Sequence, residues 1–352
     1  MLNLVLLGGE GIGPEVVEAT AQVLKHLVPD VELQRPIHGE AAIAAHGTSI
    51  PDATKEACRR ADAILYGATH KHCKDVLRFL RWGLTTFANL RPSKTRPGLP
   101  SPLKKDVPID LLIVRENVEG EYPTREGELR DFVARWPEFT DVIGQKIPAE
   151  GAFALRITTE IGCRRVSAVA AQAALRRRES GRPGKVTIVT KQNIFARGDG
   201  MFRSIAEEIL DAAKVPHDHY YIDDACRRLV AQPENFDVIL TPNMFGDIMS
   251  DIAAELVGGL GMAPSGCVGE RWSYFESVHG SAPDIAGKGI ANPLATILSA
   301  QMMLDHLGRR DEARALERAV DRLLTERKVL TPDLGGTAHT DDVTGALVHL
   351  LG

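Results

Sequence analysis

The chain has 352 residues, 44% hydrophobic and 25% charged, and a net charge of -5 at pH 7. That supplies apolar material for a sizeable core, and length for two domains or one domain with a large insertion. The acidic balance argues against general attraction to nucleic acid or an anionic membrane. Five scattered cysteines without a C-x-x-C pair argue against a disulfide framework or zinc site and fit a reducing cytoplasm.

In chain order, Leu2 to Leu7 is a largely apolar run, predicted as a buried strand; it lacks a basic start and a small-residue cleavage site. Gly8 to Glu15 follows it and opens an amphipathic helix over Pro14 to Leu27. The glycines do not fit a Rossmann fingerprint: counted from Gly9, the third glycine falls on Pro14. We read a tight strand-to-helix turn.

Ala63 to Tyr66 is the next predicted strand. Lys74, Arg78 and Arg81 then follow i, i+4, i+7 spacing, predicting one cationic helical face, with Leu77, Leu80 and Leu84 on another. Pro92 to Lys104 is proline-rich and reads as a crossing between domains. Leu111 to Val114 is a strand, and 119–150 a polar, irregular arm. Gly181 to Lys185 lacks P-loop spacing and reads as a surface turn. Helices are predicted over Thr158 to Arg178, Met201 to Ala213 and Met249 to Leu256, and strands over Lys185 to Thr190 and Val238 to Thr241. The alternation predicts an α/β protein with a mainly parallel sheet. No apolar run is long enough to span a bilayer.

Two patterns carry chemistry. Asp247 and Asp251, four apart, share one helical face. Adjacent like charges are costly unless a cation neutralises them, and oxygen ligands suit Mg²⁺ or Mn²⁺; a solvated helix start is the plain alternative. Arg91 and Arg115 each sit beside an apolar, strand-like segment, and arginine forks bind carboxylates.

With these in place the chain resembles the isocitrate and isopropylmalate dehydrogenase family, the β-decarboxylating 2-hydroxyacid dehydrogenases. The resemblance rests on GGEGIGPEV near the start, ANLRP at 88–92, RENVEGEY at 115–122, TKQN at 190–193, DVILTPNMFGDIMSD at 237–251, GGLGMAPS at 258–265 and ESVHGSAPDIAGKGIANP at 276–293, in family order across nearly the whole chain. It implies an α/β, two-domain fold that is not a Rossmann fold. Residues 1–98 plus 248–352 would form the large domain, and 99–247 a smaller inserted domain with a dimerisation arm.

It further implies NAD- and metal-dependent oxidation and decarboxylation of a malate-type acid. Arg81, Arg91 and Arg115 would hold its carboxylates and Tyr122 would reprotonate the product. Lys191, from the second subunit, would help deprotonate the hydroxyl, and Asn193 would lie near substrate and cofactor. Asp247 and Asp251, with Asp223 of the second subunit, would hold Mg²⁺ or Mn²⁺. The segment from Glu276 to Asn292 would hold NAD, with His279, Gly280, Ser281, Ala282, Asp284, Ile285 and Asn292 in the pocket. Such sharing implies a homodimer. Oxidation at C2 requires a base for the hydroxyl proton; a lysine serves only with a lowered pKa, through burial and nearby cations. Asp284 could bind both adenine-ribose hydroxyls and would repel a 2′-phosphate; NADP-using relatives typically carry Lys-Tyr at 284–285.

The substrate loop departs from the family. Gly67 to Arg81 reads GATHKHCKDVLRFLR, with Asp75 and Leu77 where isocitrate-binding serine and asparagine usually stand. Arg78 matches an arginine of homoisocitrate dehydrogenases, and a buried arginine would suit an isopropyl group poorly. An anionic distal group is expected, as in isocitrate, homoisocitrate or a phosphonomethylmalate; His70, His72 and Lys74 add possible positive charge. Isopropylmalate, tartrate and a non-catalytic regulatory subunit are the alternatives. Glu10 replaces the usual family aspartate and retains its charge.

Overall fold

The computed structural model describes residues 2–103 and 107–352. Lys104, the far end of the expected crossing, lies outside the described residues. Twelve strands are found among them: β1 (Leu2–Gly9), β2 (Val31–Gln34), β3 (Ala63–Ala68), β4 (Ala88–Lys94), β5 (Asp110–Glu116), β6 (Glu126–Glu128), β7 (Ala152–Ala154), β8 (Val186–Thr190), β9 (His217–Tyr221), β10 (Val238–Thr241), β11 (Pro264–Val268) and β12 (Ser273–Ser277). Ten build one sheet in the order β2-β1-β3-β12-β11-β4-β5-β10-β8-β9, while β6 and β7 form a separate ribbon.

The sheet is mixed, which qualifies the expectation of a mainly parallel one. β2, β1, β3 and β12 run parallel at one end, and β5, β10, β8 and β9 at the other. Between them β11 and β4 make three antiparallel pairings. Parallel strands buried on both faces read as continuous apolar runs, as in VTIVT of β8, whose five residues are all buried. Such runs are what made β1, β3, β5, β8 and β10 visible beforehand. β4 was hidden by Pro92, which pairs opposite Leu112 within the strand instead of starting a connection.

Alternation along β4 and β5 divides their side chains between two faces. Ala88, Leu90, Leu112 and Val114 pack with Val166, Ala170 and Phe202 of helices Glu160–Glu179 and Gly198–Ala212. Leu111 and Ile113 pack with Met249 and Ala253 of helix Asn243–Glu255 on the opposite face. Arg91 and Arg115 share that second face, which brings both to the Asn243–Glu255 helix. At the other end, Leu4, Leu6 and Phe275 pack with helices Gly13–Leu27, Leu294–His306, Arg310–Glu326 and Thr340–Leu351.

The 119–150 segment is more ordered than its sequence suggests. It holds helix Leu129–Arg135, whose Phe132 packs against Trp136, Phe139 and Phe153 with ring centroids 4.9–5.6 Å apart. No helix among the described residues is long and apolar enough to cross a membrane.

Candidate active site

The cationic stripe does not survive as one face. Helix Lys74–Arg78 passes directly into a π-helical turn, Phe79–Gly83. The wider turn rotates Arg81 away from its predecessors. Arg81 is buried, whereas the Arg78 side chain is 59% exposed and ion-paired to Asp75 at 2.9 Å.

Arg81, Arg91 and Arg115 converge. Burial opposes the Arg81 charge, but Tyr274 and Glu276 beside it hold its pKa above the ordinary value. Arg91 donates to Asp247 at 3.0 Å and to the Ser250 hydroxyl at 2.6 Å, and lies 3.8 Å from Asp251. Arg115 pairs with Asp247 and donates twice to Asn243 Oδ1, at 3.1 and 2.7 Å. Burial first, and then Arg91, pull the Arg115 pKa down to about 10. The Nε groups of Arg81 and Arg91 are buried without a partner among the described residues. Buried donors are ordinarily satisfied, so an anionic ligand fits this cluster.

Tyr122 completes it. Its hydroxyl donates to Asp247 Oδ2, and its ring lies 4.8 Å from the Arg115 guanidinium carbon. Burial and the bond to Asp247 push the phenol up to about 12. Asp247 thus accepts from three groups. Burial acts against its charge, but Arg115 and Arg91 hold its pKa below the usual value. Asp251, one turn on, is pushed up by burial and by Asp247.

These two carboxylates fit a hard divalent cation on one side. Among the described residues, no group of three or more His, Cys, Asp or Glu stands close enough to complete a site within the chain. Asp223 lies elsewhere, exposed and paired with Lys191 Nζ. Lys191 follows β8 and Asp223 lies just beyond β9, so both sit at carboxyl ends of parallel strands, where α/β sheets place ligand-binding groups. Asn193 is exposed on the loop after Lys191.

The expected cofactor segment follows β12. Ser281 and Asn292 are buried; Ala282, Ile285 and His279 are half-buried; Gly280 and Asp284 are exposed. The Ser281 carbonyl accepts from Ile12 N at 2.9 Å. Gly11, at φ +62°, lies so close that a Cβ would fall 1.9 Å from that carbonyl, so only glycine fits. His279 Nε2 is buried without a partner, and Asn292 donates to Asp333 at 2.9 Å. An orphaned ring nitrogen beside an exposed Asp284 suits a heterocycle carrying a ribose.

Several contributors were not singled out from sequence. Asn243 precedes Asp247 by four and so shares its helical face, a spacing that was readable. Arg156 pairs with Glu121 at 2.9 Å and with buried Asp199 at 2.8 Å, and Asp199 accepts from Lys191 N at 2.6 Å. This links the Tyr122 segment to the Lys191 loop and left no signal in sequence. Gly246 lies under Arg115: a Cβ there would meet Arg115 Cγ at 2.6 Å. Gly246→Ala is expected to destabilise by about 1–3 kcal/mol through overpacking and to displace Arg115. Thermal melting and substrate KM should both worsen; an unchanged KM would show that Arg115 makes no substrate contact.

The family model described as isocitrate/isopropylmalate dehydrogenase matches residues 3–347. The chain is 42% identical over 352 residues to the 3-isopropylmalate dehydrogenase of Archaeoglobus fulgidus, covering 100% of both. It is 41% identical to the isocitrate/homoisocitrate dehydrogenase of Thermus thermophilus, over 99% of this chain and 98% of the relative. The crystal structure of isocitrate dehydrogenase from Methylococcus capsulatus superposes with a TM-score of 0.87 at 35% identity, covering 100% of this chain and 99% of that one. The α/β architecture and the whole-length matches agree: the chain belongs to the isocitrate/isopropylmalate dehydrogenase family of decarboxylating dehydrogenases.

Proposed function

We propose that the protein catalyses NAD- and divalent-metal-dependent oxidative decarboxylation of a malate-type 2-hydroxy acid with an anionic distal group. The observation that carries this reading is the convergence of Arg81, Arg91, Arg115, Tyr122, Asp247 and Asp251 on one site, with unpartnered arginine donors inside it.

In this reading the three arginines bind and orient the substrate carboxylates as bidentate forks. Asp247 and Asp251 would hold Mg²⁺ or Mn²⁺ with Asp223 of a second copy, and Glu276 to Asn292 would hold NAD. When bound, these groups would supply Lewis acidity at the C2 oxygen and an acceptor for the C2 hydride. Lys191 takes the hydroxyl proton. Tyr122, with its pKa pushed up to about 12, keeps its proton at neutral pH and can deliver it to the carbon that loses carbon dioxide.

The homodimer is part of the proposal. Lys191 and Asp223 pair with each other and not with the Asp247 cluster, and Ile194, Phe195, Met244 and Ile248 are exposed apolar groups nearby in sequence. We also infer two lobes meeting at the antiparallel centre of the sheet. The 247/248 boundary falls inside helix Asn243–Glu255, so the return to the large lobe is better drawn after Glu255.

A second reading, 3-isopropylmalate as substrate, is favoured by the exposure of Arg78 and by relatives carrying that name. NADH formation should be followed with NAD, Mn²⁺ and a panel of isocitrate, homoisocitrate, 3-isopropylmalate, tartrate and a phosphonomethylmalate. Preference for an acidic distal group, lost by about tenfold or more in Arg78→Ala, is the expected result. Preference for isopropylmalate would establish the second reading, and no turnover with any would overturn both.

A further inference from the structure

We infer that Glu10 is a positioning residue for substrate selection, clamping the loop that carries Arg78; this rests on the proposed function. The loop from Thr69 to Cys73 leads directly into helix Lys74–Arg78. No hydrogen bond between backbone groups holds Thr69 to His72 among the described residues. The ties are side-chain ones. The Glu10 carboxylate accepts from His70 N at 2.9 Å, from His72 N at 2.9 and 3.0 Å and from Cys73 N at 2.9 Å. Tyr66 and Thr69 share a hydroxyl contact at 2.7 Å.

One carboxylate thus gathers three amides of a four-residue stretch. Burial opposes its charge, but the three amide bonds hold its pKa below the ordinary glutamate value. Its own backbone is fixed from the opposite side: Glu10 N donates to the Ala68 carbonyl at 2.9 Å, and Ile12 N to the Ser281 carbonyl at 2.9 Å. Glu10 therefore stands between the cofactor segment and the Arg78 loop, and each is tied to the turn by separate bonds. Aspartate, one methylene shorter, could not keep all three amides without moving the loop. Glutamine would keep the length but turn a second amide donor toward donors. In this chain the extra methylene of Glu10 sets where the Arg78 helix begins, and so how far Arg78 can reach toward the distal group.

The test is Glu10→Gln beside Glu10→Asp in the full-length enzyme, read in two ways. Amide hydrogen exchange at 70–73 should speed up by about tenfold or more in Glu10→Gln and less in Glu10→Asp, because hydrogen bonds to a charged acceptor are the strong ones. The buried Cys73 thiol should react faster with a thiol reagent, in a Cys226→Ser background that removes the half-buried cysteine. Steady-state kinetics should show the hydroxy-acid KM raised by about tenfold, with kcat and the NAD KM within about threefold. Unchanged exchange and thiol reactivity would overturn the clamp. Faster exchange with both KM values rising together would overturn its role in substrate selection and leave a general structural one. Absence of turnover by the unaltered enzyme would sink the functional reading and the kinetic half of the inference, while exchange would still decide the clamp.

Discussion

Asp247→Asn is expected to reduce metal-dependent turnover by about 10³-fold or more. The Asp247 carboxylate accepts from Arg91, Arg115 and Tyr122 at once, and a divalent cation would have to draw on the same oxygens. An amide offers one neutral oxygen and turns a donor toward the Tyr122 hydroxyl. It also removes the negative charge that offsets Arg115 and Arg91. Arg115 already has its pKa pulled down to about 10, first by burial and next by Arg91. Losing Asp247 removes the main attraction opposing that shift. Breaking a buried charge pair from one side costs about 3–5 kcal/mol; the Asp247 side chain is 32% exposed, so the lower end applies. Initial rates against Mn²⁺ concentration, together with a thermal melt, test both halves. A rate above a tenth of the unaltered enzyme's, with the same Mn²⁺ dependence, would remove Asp247 from the metal site.

Lys191→Met and Tyr122→Phe should each lower kcat by about 10²–10⁴-fold, the range for loss of a positioned proton-transfer group. Their combination is the more informative experiment. If each site takes Tyr122 from one copy and Lys191 from the other, a mixed dimer holds one doubly altered site and one intact site. Random mixing makes about half of the dimers mixed, so co-expression should recover about a quarter of the full activity. The pairing of Lys191 with Asp223, away from the Asp247 cluster, motivates this expectation. Recovery no better than the more active single variant would mean that both residues serve the same site from one chain, and the dimer proposal would lose its chemical reason.

Within the sequence, local spacing carried the helix Pro14 to Leu27, the buried parallel strands and the Asp247–Asp251 pair. Each depends on residues within one or two turns of one another, where period and burial leave a direct imprint. The failed glycine fingerprint at Pro14 was equally local, and it agrees with a sheet that has an antiparallel centre. The resemblance added the family and its expected residues because seven short motifs recur in order. It could not say which of those residues meet inside a single chain.

Tertiary structure decided the rest. The i, i+4, i+7 pattern of Lys74, Arg78 and Arg81 assumed 3.6 residues per turn. The π-turn at Phe79–Gly83 breaks that period, burying Arg81 and leaving Arg78 in solvent with Asp75. Pro92 marked a break by local rules, yet it sits in β4, whose other face delivers Arg91 to the site. Glu10 reads as a conservative replacement for aspartate until its three amide partners, 60 to 63 residues away, are in view. The sequence alone therefore determined the fold class, the family and the types of residue available for chemistry, since propensity, burial period and motif order are properties of neighbours along the chain. Which arginines converge, what holds the substrate loop and where Lys191 stands depended on contacts between segments more than 30 residues apart, which only the packing of the sheet and its helices could fix.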